Sequence, residues 1–221
     1  MKLAIFDVDG TLSDSQSHIF HAMSLGFETV GLPAPARDAV LSIVGLSLPI
    51  AVARLAPELA PETQDRIVEG YKNSYFTQRA ASPAPLYPGA LDCLRHLQAR
   101  GDFLLGVATG KSRRGLNALI EYHGLEGLFV TMQVADDHPS KPHPAMVEAA
   151  LAETGLEARD AVMIGDTTYD IEMGRAARVA TVGVGWGYHP VADLRAAGAT
   201  RIVSDFAALE LAVSELLEVS A

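Results

Sequence analysis

Leu3-Ala-Ile-Phe-Asp7-Val-Asp9-Gly10-Thr11-Leu12 sets a short apolar run directly before two carboxylates and a Gly-Thr turn. The run Leu3 to Phe6 reads as a buried strand. On an extended chain, residues i and i+2 point the same way, so Asp7 and Asp9 can present both carboxylates to one small volume. Two anions held so close repel each other unless a cation or a shared proton compensates them. A strand that merely ends in a polar turn accounts for any one of these residues. The two Asp, the Gly and the Thr together would match by chance only on the order of a few times in a thousand such chains. The match also lies at a strand end, where open α/β sheets bind their ligands.

Asp7-Val-Asp9-Gly10-Thr11-Leu12 resembles the signature of the haloacid dehalogenase superfamily of phosphotransferases, and that resemblance implies three further parts in a set order. The second part is a Thr or Ser closing the next strand, supplied by Phe103-Leu-Leu-Gly-Val-Ala-Thr109-Gly110-Lys111. A hydroxyl there can donate to a phosphoryl oxygen, and Gly110 lets backbone approach an anion closely. Taken alone, Thr109 also reads as a cap for a helix starting near Ser112. A phosphate-binding loop of the G-x-x-x-x-G-K-[ST] type is excluded, because its first Gly would fall on Leu105.

The third part is a Lys in a loop before a helix, and Ser140-Lys141-Pro142-His143-Pro144 fits. Pro142 biases Lys141 away from helical geometry, and either proline suits the first turn of a helix through Met146 and Leu151. That places an ammonium beside a helix N-terminus, which itself favours anions. His138 and His143 flank it without a Cys or third His to complete a zinc set, so both read as ordinary loop histidines. The fourth part is Ala161-Val-Met-Ile-Gly165-Asp166-Thr-Thr-Tyr-Asp170. If a helix begins near Thr167, Asp170 lies in its first turn and faces back toward Asp166. Capping alone would explain either residue. As the last of four parts in order, they suit Mg²⁺, which takes a few carboxylates together with waters and substrate phosphate.

At 221 residues and 49 % hydrophobic content, the chain can bury one sizeable core plus an insert. A net charge of −10 argues against nucleic acid or an anionic membrane as partner. It leaves room for a phosphate substrate, since the local field of a site can oppose the global sign. The one cysteine, Cys93, permits no intramolecular disulfide and fits a reducing compartment. The first residues lack the long apolar stretch of a signal peptide. The most apolar segment, Ala39 to Ala56, is broken by Gly45, Pro49 and Arg54 and does not read as a membrane span. These features lead us to expect a cytoplasmic monomer or homodimer whose partner is a small phosphorylated metabolite.

Short β-type runs fall at Lys2–Phe6, Phe103–Ala108, Phe129–Val134, Ala161–Ile164, Val179–Val184 and Arg201–Val203. Helical stretches separate them, which predicts an α/β fold with a parallel sheet covered on both faces. From about Asp14 to Ser82 no strand is evident. Ile19, Phe20, Met23, Phe27 and Val30 share one helical face, with Asp14 or Ser15 as N-cap and Gly31 as stop. Ile67, Val68, Tyr71, Tyr75 and Phe76 form another such face. The expected division is residues 1–13 as core, 14–83 as an all-helical insert and 84–221 as the remaining core. Leu12–Asp14 and Ser82-Pro-Ala-Pro85 would form a two-stranded hinge.

The resemblance covers nearly the whole chain. It implies a Rossmann-like sheet, a mobile helical cap and Mg²⁺-dependent hydrolysis of phosphate esters. The subgroup that this chain is most similar to is the phosphoglycolate phosphatase and β-phosphoglucomutase set, so a phosphosugar mutase with the same core is the alternative. Carried over by position, Asp7 is the nucleophile, Asp9 the acid and base, and Thr109 and Lys141 hold the phosphoryl oxygens. Asp7, Asp166 and the Asp9 main-chain carbonyl would bind Mg²⁺, with Asp170 ligating through water or orienting Lys141. An acid at position 9 implies an oxygen leaving group. Gly10 and Gly110 lie along the expected phosphate path. Specificity must then come from the insert, where Arg54 interrupts an apolar segment and Lys72 adjoins the Tyr71–Phe76 face. Gly183-Val-Gly185-Trp186-Gly187-Tyr188 also resembles the phosphoglycolate phosphatase-like members; by its residues alone it reads as a loop leaving a strand.

Overall fold

A computed structural model describes residues 1–81 and 83–218. Its strands are β1 (Lys2–Phe6), β2 (Phe103–Thr109), β3 (Phe129–Val134), β4 (Ala161–Gly165), β5 (Ala180–Val184) and β6 (Arg201–Val203). All neighbours pair in parallel, in the order β3-β2-β1-β4-β5-β6. Ile5 of the central strand lies between Gly106 and Met163. Each strand forms where an apolar run was expected. β2 continues to Thr109, β4 continues to Gly165 and β5 starts one residue late at Ala180.

After β3 the chain returns past β1 to begin β4 on its other side. Loops leaving β1 and β4 therefore diverge and open a crevice at the carboxyl ends of those strands. The sheet topology thus brings Asp7, Asp9 and Asp166 to one place.

The insert that follows β1 is built, among the described residues, from four helices: α1 (Gln16–Glu28), α2 (Arg37–Leu41), α3 (Leu48–Leu55) and α4 (Pro61–Ala81). They enclose a core of their own in which Ile19, Met23, Phe27, Val40, Val52 and Ile67 are buried. Phe20, Val30, Tyr71 and Tyr75 pack half-buried against it, while Phe76 stays exposed. The two connections to the sheet run side by side. Asp14 N–H donates to Pro85 O and Tyr87 N–H to Leu12 O, both at 2.9 Å. Ser13 bridges Leu86 in antiparallel fashion. Of the expected hinge, Ser82 lies outside the described residues.

The remaining helices are α5 (Ala90–Ala99), α6 (Arg113–His123), α7 (Ala145–Thr154), α8 (Thr168–Ala176), α9 (Val191–Ala196) and α10 (Phe206–Glu218). Alternate strand residues face opposite layers. Ala4 and Phe6 pack in a core with residues of α5, α6 and α10, whereas Leu3 and Ile5 pack with residues of α7 and α8. Both faces of β1 are therefore apolar, as a covered parallel strand requires. Phe6 is fully buried, and truncating such a side chain to Ala costs about 3–5 kcal/mol. Among the described residues, no helix is long and apolar enough to cross a membrane.

Candidate active site

The turn after β1 is closed on its own backbone. The amides of Thr11, Leu12 and Ser13 all donate to the Val8 carbonyl, at 3.3, 2.9 and 2.9 Å. Gly10 adopts φ +87°, a conformation that glycine takes without strain, and its N–H donates to Ser13 O at 2.9 Å. A Cβ on Gly10 would collide with the Asp166 carboxylate. Gly10 therefore serves the carboxylate cluster, by letting this turn press against Asp166.

Asp166 follows β4 and is fully buried. Thr11 Oγ1 donates to its Oδ1 at 2.9 Å, and Tyr188 N–H donates to its Oδ2 at 2.8 Å. A Cβ on Gly187 would also strike this carboxylate. Asp166 is thus gripped between two glycine-bearing loops, one after β1 and one after β5.

Asp170 is at the third position of α8 and closes a capping box with Thr167. Its Oδ2 accepts from Thr167 N at 3.0 Å and from Thr167 Oγ1 at 2.7 Å. Its Oδ1 accepts from Lys141 Nζ at 2.6 Å. Both oxygens are engaged, and the second one orients Lys141.

Asp7 is treated differently. It is 1 % exposed, and neither of its oxygens has a hydrogen-bond partner among the described residues. Lys141 Nζ lies 2.9 Å from Oδ1, an ion pair whose angles fall outside hydrogen-bond geometry. Oxygens of Asp7, Asp166 and Asp170 all lie within 4.8 Å of one another. Burying an ion costs on the order of several kcal/mol, and here three carboxylates share one ammonium. The imbalance shows in their proton affinities. Burial pushes the Asp7 carboxyl up to about 7 against the pull of Lys141, with Asp170 adding repulsion. Burial, then Asp170 and Asp7, raises Asp166 well above the usual carboxylate range. Burial opposes the charge on Lys141, yet Asp170 and Asp7 hold its ammonium above its ordinary value. A hard cation among these oxygens would supply the missing positive charge, so the donor set fits Mg²⁺.

Several expectations need correction. The Asp9 side chain is absent from the three-carboxylate cluster. Lys111 Nζ donates to its Oδ1 at 2.5 Å and Oδ2 at 2.8 Å, and Ser15 Oγ donates to Oδ1 at 2.5 Å. Neither proline lies within the helix after Lys141: α7 begins at Ala145 with Pro144 as its N-cap. The Lys141 ammonium is instead buried against Asp7 and Asp170. Thr109 is not a cap either, since Ser112 Oγ caps α6 by accepting from Gly115 N. Gly110 makes room for the insert, because a Cβ there would meet the carbonyls of Gly45 and Leu46 at 2.7 and 2.8 Å.

A cavity of about 520 Å³ lies over this site. Asp7, Asp9, Thr109, Gly110 and Lys111 form its floor, and Met23, Leu46, Leu48, Tyr71 and Tyr75 of the insert wall it. Lys72 lines it, but its exposed ammonium is paired with Glu69 at 2.8 Å. Arg54 does not line it. Its guanidinium lies 5.6 Å from the Tyr169 ring centroid, a cation–π contact that explains a charge in an apolar segment.

The sequence gives Thr11, Lys111, Ser15, Gly187 and Tyr188 no part in the site. Thr11 and Lys111 stood inside the quoted motifs, and Ser15 was legible only as an N-cap. The Gly183–Tyr188 run, a strand exit by its residues alone, supplies the loop after β5 that grips Asp166.

A family model described as haloacid dehalogenase-like hydrolase matches residues 4–184. The chain is 35 % identical over 225 residues to a Dickeya dadantii protein named "Probable phosphatase IndB", covering 99 % of this chain and 96 % of that one. It is 34 % identical over 218 residues to a phosphoglycolate phosphatase of Rhodospirillum rubrum, covering 94 % of this chain and 89 % of the relative. The structure of a hydrolase from Pseudomonas syringae superposes with a TM-score of 0.86 at 24 % identity, covering 97 % and 99 % of the two chains.

Proposed function

We propose, from the premise that this chain belongs to the haloacid dehalogenase-like hydrolase family, that it is a Mg²⁺-dependent phosphatase acting through a phosphorylated Asp7. One observation carries the reading: Asp7 is buried among carboxylates with no hydrogen bond to its oxygens among the described residues. A purely structural carboxylate in that place would be costly, since buried charge needs pairing and hydrogen bonds. A nucleophile needs an oxygen left open.

Asp7 attacks phosphorus, and the alkoxide of the ester departs. Thr109 and Lys141 hold the phosphoryl oxygens during this transfer. Mg²⁺ bound by Asp7, Asp166 and the Asp9 carbonyl would neutralise charge on those oxygens, with Asp170 fixing Lys141 behind it. Asp9 protonates the leaving oxygen, then takes a proton from the water that hydrolyses the intermediate. Lys111 engages both Asp9 oxygens, so that pair must open before Asp9 can reach the leaving oxygen. Residues 14–83 act as a cap that closes over the reaction and excludes water. The substrate in this reading is a small phosphorylated metabolite of the phosphoglycolate kind. The R. rubrum relative and the cations Lys111 and Arg114 that line the cavity support it. The reading also places the protein in the cytoplasm, which its one buried cysteine suits.

Turnover of a phosphate-monoester panel with Mg²⁺, with EDTA and after Mg²⁺ is restored tests the proposal. Activity is expected to vanish with the chelator and return with the metal. Full activity in excess EDTA would contradict the metal site, and dependence on a bisphosphate activator would make the protein a mutase.

Metal binding should also be linked to pH. The Asp7 pKa rises from 3.8 to about 7 on folding, so the metal-free fold binds this proton more tightly than the unfolded chain does. That contribution to stability is complete below the unfolded value and is lost as pH rises through the folded one. Mg²⁺ replaces the proton, so its upward shift of the melting temperature should be larger near about pH 8 than near about pH 5. Equal shifts at both would place the metal elsewhere.

A further inference from the structure

The loop leaving β5 reaches the site twice through one residue. Tyr188 N–H donates to Asp166 Oδ2 at 2.8 Å, while its hydroxyl lies 2.9 Å from Ser15 Oγ. Ser15 Oγ has a single proton and donates it to Asp9 Oδ1 at 2.5 Å. Ser15 Oγ must therefore accept from the Tyr188 hydroxyl, whose oxygen accepts in turn from Ser15 N–H at 3.3 Å. The result is a directed chain, Tyr188 to Ser15 to Asp9.

Ser15 is also the N-cap residue of α1, where a serine side chain ordinarily accepts from the first turn. Here it makes no such bond. Its hydroxyl turns away from its own helix toward Asp9, and the side chain is fully buried. The Tyr188 ring packs against the apolar core of the helical insert. Gly187, immediately before it, has no room for a Cβ against Asp166. Tyr188 is thus fixed at both ends.

We propose that Tyr188 and Ser15 are positioning residues that aim the Asp9 carboxyl at the leaving oxygen, with the Tyr188 backbone tying that aim to Asp166. The inference rests on the acid–base role of Asp9. Lys111 binds the same carboxylate from the cavity lining, whereas Ser15 and Tyr188 hold it from the protein side. Loss of either hydroxyl leaves Asp9 present and misdirected.

The test compares Tyr188→Phe, Ser15→Ala and Asp9→Asn with wild type on an alkyl phosphate and on p-nitrophenyl phosphate. Tyr188→Phe keeps the N–H that holds Asp166, and Ser15→Ala removes no helix cap. Each is expected to lower kcat for the alkyl ester by up to about tenfold, the scale of one lost hydrogen bond. KM and the Mg²⁺ concentration for half-activity should stay unchanged, and the loss on p-nitrophenyl phosphate should be much smaller. On an Asp9→Asn background, neither substitution should cost anything further. Ser15→Thr, which keeps the hydroxyl, should recover most of the loss and separates positioning from damage to the fold. Equal losses on both esters, or losses that add to that of Asp9→Asn, overturn the inference while leaving the phosphatase reading in place. If Asp9→Asn itself shows no leaving-group dependence, the acid–base role and this inference fall together.

Discussion

Asp7→Asn is expected to abolish turnover, by at least about 10⁴-fold on every phosphate ester, while the fold persists. The amide cannot become an acyl phosphate, and it is a poorer ligand for a hard cation. Stability should not fall with activity. Asp7 accepts no hydrogen bond that the change would break, and Lys141 keeps its bond to Asp170. Removing one of three crowded carboxylates also relieves repulsion. The metal-free variant should therefore melt no lower than wild type, and its response to Mg²⁺ should shrink. Substantial residual activity in a preparation free of deamidation would mean that Asp7 is not the nucleophile.

Asp9→Asn is expected to give the second-largest effect, a loss of about 10²–10⁴-fold on alkyl esters, the usual range for a general acid–base group. An alkoxide needs its proton as the bond to phosphorus breaks, and p-nitrophenolate barely does. The loss should be smallest for p-nitrophenyl phosphate, although hydrolysis of the intermediate is slowed for every substrate. Asn also loses the charge that pairs with Lys111, freeing that ammonium for an anionic substrate. KM for an acidic substrate should therefore fall or stay constant as kcat drops. Equal losses for good and poor leaving groups would remove Asp9 from protonation of the leaving oxygen.

The strands and the acidic site were legible because their signals are local. Apolar runs ending in Asp7, Thr109 and Asp166 announce both a buried parallel strand and the group at its carboxyl end. Local signals say less about what a residue meets across the fold. Gly110 was legible as a position needing room, yet the backbone that fills that room is Gly45 and Leu46, distant in sequence. Arg54 stood out as a charge among apolar residues, and its reason is the Tyr169 ring on α8. Lys111 looks like any surface lysine until folding sets it on Asp9 and 3.0 Å from the Tyr75 hydroxyl. Ser15 was ambiguous in kind: the residue type that caps a helix is also one that orients a carboxylate. Tyr188 carried no chemical pattern of its own, because its backbone and its hydroxyl serve two different aspartates.

The most direct test of the central claim is to catch the phosphoryl group on the protein. Wild type is mixed with a phosphate monoester and Mg²⁺, quenched in acid within a turnover and reduced with borohydride. The position of the reduced residue is then read from the peptides. A covalent mechanism predicts that Asp7, and no other carboxylate, is converted to homoserine, and that Asp7→Asn yields none. Phosphate release at the full rate with no acyl phosphate at Asp7, under conditions where Asp9→Asn slows its hydrolysis, would contradict the account.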